Sequence, residues 1–441
     1  MAFLLITWVM PFVIYAGPIR LTPYRIALIV LFMPCLVWLA QGRAGRPRLA
    51  DVLILLFGIW CLISLTAVHG VAIAAQTGGI QLLETLTPYF LARCCIRNAD
   101  DFLALVRMLS IVVLTLAPFA VIETVTGRNI YMELASYIYQ TTGITDKETR
   151  WGLRRVQLFF DHPILSGVCL GSVLTLTHIV WGRELTFVRR WMRSSAVGIT
   201  AALSLSSGPL GAMIIQIGLM IWDRVTRRIP GRWVILISTA ALMLLAIQLM
   251  AKRPLINILL SYAFEPQSAF FRTLIWEYGT RSVASYPWFG VGMGAWVRPE
   301  WMPPSVDMFW LYNAITYGLP AGLLFFGAFA AALMAVISTR PLDARHTDYR
   351  TAYLISMASW FLTGWAVHFW NGTYVFFLLL LGSGMWLGDV TADPEGPKRT
   401  ARTVVARRSQ SVPGNGGHST ERPLERKLEP VNRPSRGRRD R

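Results

Sequence analysis

Apolar residues along this chain come in blocks of about 15–22, separated by short pieces rich in Arg or in Pro and Gly. That is the pattern of a polytopic helical membrane protein, each block matching the length needed to cross hydrocarbon. Twelve blocks read as spans, near 2–16, 24–41, 51–68, 79–93, 102–125, 163–181, 194–205, 210–223, 233–250, 308–338, 351–369 and 375–389. The seventh and eighth are short and form a hairpin around "SLSSGPLGA", where Ser206, Ser207, Gly208 and Pro209 break the helix. The tenth is overlong, so it tilts or projects its first turns beyond the lipid. Outside the blocks, Phe271, Leu274, Ile275 and Tyr278 recur at helical spacing and predict a helix over 268–285 on the membrane surface. Its apolar stripe ends at polar Ser282, Arg272 and Trp276 share another face, and Tyr286-Pro287 stops it.

Composition agrees: 54% of the residues are hydrophobic and 15% charged, with a mean hydropathy of +0.48. The opening "MAFLLITWVMPFVIYAG" lacks a basic n-region and reads as a first span, not a cleavable signal. The five cysteines lie in or beside apolar blocks without metal-ligand spacing and read as structural filler.

The net charge of +18 is explained by topology. Loops at 41–50, 93–101, 182–193, 224–232 and 339–350 carry 3, 2, 4, 4 and 3 basic residues, against 1, 0, 0 and 0 at 17–23, 68–78, 206–209 and 370–374. The positive-inside rule then puts the first set and both termini in the cytoplasm. Two long loops, about 126–162 and 251–306, fall on the outer face of the 1–390 membrane domain. They hold Arg128, Lys147, Arg150, Arg154 and Arg155, and Lys252, Arg253, Arg272, Arg281 and Arg298. These cations are either an anion-binding surface or solvated charge beside lipid headgroups. The tail, 391–441, has 13 Lys/Arg against 6 Asp/Glu with few large apolar residues. It is expected to be disordered and to touch anionic lipid; nucleic acid is not an expected partner.

The stretch "FFRTLIWEYGTRSVASYPWFGVGMGAW" places Gly290, Gly292 and Gly294 in GxGxG spacing. A nucleotide loop would need a preceding strand inside a βαβ unit. Here the glycines follow a helix on an outer face, where they form a tight turn that approaches another element or an anionic ligand.

That stretch resembles the signature of the O-antigen ligase/polymerase superfamily: an Arg, a Trp one turn later, then an "hPlfGvGlG" run in a long outer loop. Three other stretches are similar to the family's pattern: "RRVQLFFDHPILSG" (154–167), "LSLSSGPLGAMI" (203–214) and "DMFWLYNAITYGLPAGLLFF" (307–326). Together they cover roughly 150–330. The resemblance implies a bacterial inner-membrane glycosyltransferase with a GT-C-like helical fold. It implies a polyprenyl-diphosphate-linked oligosaccharide as donor on the periplasmic side, with no nucleotide sugar or other cofactor. Two departures stand out. Ser207 occupies the Arg position of the family's "SRG", and Asp307 stands where ligases carry a His, eleven residues before Gly318. The missing His turns the reading towards a polymerase.

Transfer from such a donor passes through an oxocarbenium-like state while charge grows on the diphosphate. Arg155 and Arg272 match family positions and suit the diphosphate, because a guanidinium binds phosphate oxygens bidentately and stays charged. Arg154 and Arg281 are further candidates. The outer loops hold no DxD or His/Asp cluster, so no metal is expected. Asp307 is the candidate base or, alternatively, a helix N-cap. His162 orients substrate or caps its loop. His368 and Glu123, ionisable groups near outer span ends, are functional candidates or hydrogen-bonded interface groups. Trp276, Trp296 and Trp301 are candidate sugar-stacking rings, or members of the interface belt. The main reading is a polymerase joining lipid-linked repeat units into exopolysaccharide or O-antigen, beside a chain-length regulator and export machinery. A ligase to lipid A core and a lipid-linked glycan flippase stay open as alternatives.

Overall fold

The computed structural model describes residues 1–17, 19–145, 149–250, 266–339 and 343–389, the backbone alone for 266–269. Lys147, Lys252, Arg253 and the basic tail lie outside the described residues.

The chain opens with α1 (Ala2–Val9) and a small antiparallel hairpin, β1 (Ile14–Ala16) with β2 (Ile19–Leu21). The expected first span over 2–16 is therefore not a crossing. The 8 helical residues rise about 12 Å, against about 30 Å of hydrocarbon. Pro11 ends α1, because it lacks an N–H and holds Met10 in extended backbone. Next come α2 (Pro23–Ala40) and α3 (Leu49–His69). Residues 71–78, which read as a loop, are helical: one turn, α4 (Val71–Ile73), and a π-turn lead into α5 (Gly79–Cys95). Then follow α6 (Ala99–Thr126), α7 (Ile130–Ser136) and α8 (Pro163–Ser172). After a 3-10 turn (Trp181–Glu184) come α9 (Phe187–Ala202), α10 (Ser207–Val225) and α11 (Arg232–Met250). The remainder is α12 (Pro266–Ser285), α13 (Phe309–Tyr317), α14 (Leu319–Ile337), α15 (Ala344–Thr363), α16 (Asn371–Ser383) and a last turn, α17 (Trp386–Asp389). Among the described residues, 7 helical stretches are long and apolar enough to cross a membrane. The fold is that of an all-α, multi-pass membrane protein.

Three features depart from the sequence expectation. The overlong tenth block is two helices, because Gly318 sits at φ 87 between α13 and α14, where a Cβ would collide with the Trp288 carbonyl. The seventh and eighth blocks are longer than their apolar cores, since flanking Arg-bearing turns continue α9 and α10. Their break falls at 203–206, with Leu205 at φ 47. Ser207, Gly208 and Pro209 lie inside the first turn of α10, where a missing proline N–H costs no hydrogen bond. In α12, the buried face runs past its expected end: Ser282 is 1% exposed, and its Oγ accepts from Val297 N at 3.3 Å.

α16 forms the centre of the bundle, buried from Thr373 to Ser383. It approaches α5 so closely that a Cβ on Gly382 would strike the Tyr89 carbonyl. At one end of α5, Arg93 is held bidentately by Asp51, Nε at 3.1 Å and Nη2 at 3.0 Å. Asp51 also accepts from Tyr89 Oη at 2.7 Å and from Arg48 N at 2.8 Å. With Arg93 side chain 1% exposed, Asp51→Ala would leave the buried guanidinium only Arg46 O at 2.9 Å and the more distant Asp389 at 3.5 Å. Unfolding of that variant in detergent is expected to cost about 3–5 kcal/mol less than wild type; an unchanged thermal midpoint would refute the role of the pair.

Candidate functional site

Four helices begin around one cavity. His162 is the N-cap of α8, Ser206 of α10 and Trp370 of α16, while Asp307 immediately precedes Met308, the N-cap of α13. All four residues line the cavity, whose volume is about 140 Å³. A helix start carries about half a positive charge, although at α8 the first N–H groups are already met, Pro163 having none and Ile164 N and Leu165 N donating to His162. Arg150, Arg155 and Arg272 line the same space, with Ser207 and His368. The resulting field favours an anion.

The arginines are set by local backbone. "RWGL" is a two-residue turn: Arg150 and Leu153 exchange backbone hydrogen bonds at 2.9 Å. Trp151 and Gly152 between them take φ 53 and 74, the left-handed pair that such a turn needs. Beyond it, Glu123 anchors the strand-like run by accepting from Gln157 N and Leu158 N, both at 3.0 Å. The run thereby passes the break between α9 and α10, where Val156 N donates to Leu203 O at 3.0 Å. Left-handed Leu205 turns the oxygens of that break outward. Arg155 donates to Ser206 Oγ at 2.7 Å and to Ser204 O at 3.4 Å, and Arg150 to Leu205 O at 2.8 Å. From the other side Arg272, 7% exposed on α12, donates to Ala366 O at 3.0 Å.

Asp307, His162 and His368 bring acceptor atoms to the cavity. Asp307 accepts from Ser305 Oγ at 2.5 Å and does not cap α13, whose N-cap makes no side-chain bond. His162 Nδ1 accepts from Ile164 N at 3.1 Å, which puts the neutral ring's proton on Nε2. His368 lies against Tyr312 with ring centroids 3.9 Å apart and the planes tilted by 39°, and its buried Nδ1 has no partner among the described residues. Three guanidiniums and four helix starts can hold a polyanion, and a carboxylate in the same cavity can take a proton from a hydroxyl.

Of the residues picked out by sequence, Arg155, Arg272, Asp307, His162 and His368 meet here. The others do not line this cavity. Arg154 turns to Gly127 O at 2.9 Å and towards Glu123 at 3.9 Å. Arg281 pairs with Glu277 at 2.6 Å on the exposed side of α12. Trp296 is 6% exposed in a second apolar cluster with Ile275 and Met302, and its Nε1 donates to Pro304 O at 2.8 Å. Trp276 meets Trp365 edge-on, and Trp301 is 63% exposed. The glycine turn approaches protein: Val291 N donates to Ile315 O and Gly292 N to Thr316 O, at 3.0 and 2.8 Å. It thus caps the last carbonyls of α13, and a Cβ on Gly290 would lie 2.5 Å from both oxygens. Arg150 is the cavity residue that went unranked, although the turn-forming Trp-Gly pair was a local signal for it.

The fold and site define a multi-pass helical membrane protein with a cationic cavity at one end of its bundle. No protein-family model matches the chain, and no curated protein is significantly similar to it. Among the described residues, no three His, Cys, Asp or Glu side chains gather as metal ligands.

Glu123 is 1% exposed and holds the run that carries Arg155. Glu123→Ala removes the acceptor of two amides, each hydrogen bond to a charged group being worth about 1.5–3 kcal/mol. Thermal unfolding is expected to show a loss of at least the lower figure, with limited proteolysis opening near 150–160. A resistant, fully stable variant would contradict this anchoring.

Proposed function

We propose that the chain is a glycosyltransferase of the O-antigen ligase/polymerase superfamily with a GT-C-like frame. It polymerises polyprenyl-diphosphate-linked oligosaccharide units at the periplasmic face of a bacterial inner membrane. One observation carries the reading: Arg155, Arg272 and Asp307, chosen by resemblance from three distant stretches, line one cavity at which four helices begin.

The chemistry follows from the charges. An acceptor hydroxyl attacks the anomeric carbon of the donor glycan, and Asp307 takes its proton. The bond from that carbon to the diphosphate oxygen breaks, and the leaving diphosphate keeps the electron pair. Arg155 and Arg272, supported by Arg150 and the helix starts, neutralise the growing charge. Pre-fixed donors suit this task because they need not reorganise when the charge appears. A second lipid-linked chain as acceptor gives a polymer, and Asp307 in place of the ligase-type His favours that acceptor over lipid A core.

Reconstitution tests the proposal. The purified protein is placed in liposomes with a polyprenyl-diphosphate repeat unit, with or without lipid A core, and products are resolved by gel. A ladder of lengthening glycan independent of lipid A is expected. Arg272→Ala should slow it about 10²–10³-fold and Asp307→Asn about 10²–10⁴-fold. Glycan on lipid A core alone would mean a ligase. Transbilayer movement of the unit without a new glycosidic bond would mean a flippase.

A further inference from the structure

At the far ends of α9 and α10, away from the cavity, a second cationic cluster forms from six elements. Asp348 on α15 is shared by Arg183 of the 3-10 turn and Arg227 of the α10–α11 turn. Asp223 on α10 pairs with Arg232, the first residue of α11, at 2.5 Å. Arg232 also donates to Arg227 O at 3.0 Å, which closes the turn onto α11. Arg190 of α9 and Arg224 of α10 join this group, and Arg350 of α15 faces Arg232. Six guanidiniums thus surround two carboxylates. The nearby acids are engaged elsewhere, Glu184 with Arg107 and Asp343 with His346.

Two signs show that this cluster is under-neutralised. Burial and the neighbouring Arg224 push the Arg190 guanidinium below its ordinary range, and burial and Arg232 do the same to Arg350. Burial is the larger cause and the neighbouring cation adds to it, and the nearby carboxylates do not offset the two. Moreover, Arg190 Nε, Arg232 Nε and Trp222 Nε1 are buried without a partner among the described residues. All three are donors. Buried N–H groups nearly always find an acceptor, and among six guanidiniums an acceptor that carries negative charge is favoured.

We propose that this junction of α9, α10, α11 and α15 binds a phosphate group, the source at hand being the headgroup of an anionic phospholipid in the adjoining leaflet. A phosphodiester offers oxygens to two guanidiniums at once, and a basic pocket between transmembrane helices is the kind of site that selects anionic lipid. The polar headgroup depth at helix ends matches a lipid better than a soluble anion.

The full-length protein is purified in a neutral detergent and titrated with cardiolipin, phosphatidylglycerol, phosphatidylcholine or inorganic phosphate, with native mass spectrometry and thermal unfolding as readouts. Anionic lipid is expected to be retained at least tenfold better than phosphatidylcholine and to raise the unfolding midpoint. The double variant Arg190→Gln/Arg224→Gln should lose that preference at least tenfold. The control Arg189→Gln/Arg193→Gln, which removes the same charge but from α9 alone, should keep it. If the cluster variant does not fold, Arg190→Lys should show weakened retention, since it keeps charge but loses the planar fork. Protection by inorganic phosphate equal to that by lipid would keep the phosphate site and assign it to a free anion. Equal losses in cluster and control variants, or an undiminished preference in the cluster variant, would overturn the proposal.

Discussion

The grip of Arg155 on the break between α9 and α10 is the interaction on which the cavity depends. A helix that ends inside a bundle leaves unpaired carbonyls, and the next helix begins with unpaired N–H groups. Here the carbonyls of Ser204 and Leu205 are met by Arg155 and Arg150, while the start of α10 faces the cavity. Left-handed Leu205 is an uncommon conformation for a branched apolar residue and costs of order 1–3 kcal/mol. It persists because the surrounding contacts over-determine it: Val156 on Leu203 O, Arg150 on Leu205 O and Arg155 on Ser206 Oγ. Strain at this point turns a simple hairpin between two helices into a mount for two cations.

The rest of the structure makes that mount rigid. α16 is buried along its length, and Trp370 at its start lines the cavity while Asn371, next in sequence, turns away to Asp161 at 3.0 Å and to Arg25 at 3.2 Å. Arg25 in turn pairs with buried Glu84 of α5 at 2.6 Å. The cavity wall is thus fastened through paired charges to the centre of the bundle. Such pairs are costly to break in a low dielectric, so the wall is not free to drift. Ion pairs such as Arg25–Glu84 and Arg93–Asp51 hold the fold, and the cavity arginines donate to the oxygens of helix breaks.

Much of this was legible in the sequence, for physical reasons. Lipid imposes its thickness on apolar blocks, so the helices of the bundle could be read from block length, and Arg155, Arg272 and Asp307 could be picked from three stretches of resemblance. What escaped was set by helix ends. Nothing in the hydropathy of 2–16 distinguishes a crossing from an eight-residue helix stopped at Pro11. The GxGxG run carried the signature of a close approach, but its partner, the end of α13, was a tertiary fact. Trp296 reads like any interfacial tryptophan until Pro304 O accepts its N–H. The pair Trp151–Gly152 did carry a local signal, and it would have promoted Arg150 to the same rank as Arg155.

The proposed function requires that the cavity hold a diphosphate. Direct titration of sugar-free polyprenyl diphosphate into the protein in nanodiscs tests it without requiring turnover. Arg155→Ala and Arg272→Ala should each weaken binding by about tenfold or more, as the loss of a charge-assisted hydrogen bond implies. Arg281→Ala, on the exposed side of α12, should bind as wild type does. Equal affinity in all four proteins would contradict the account.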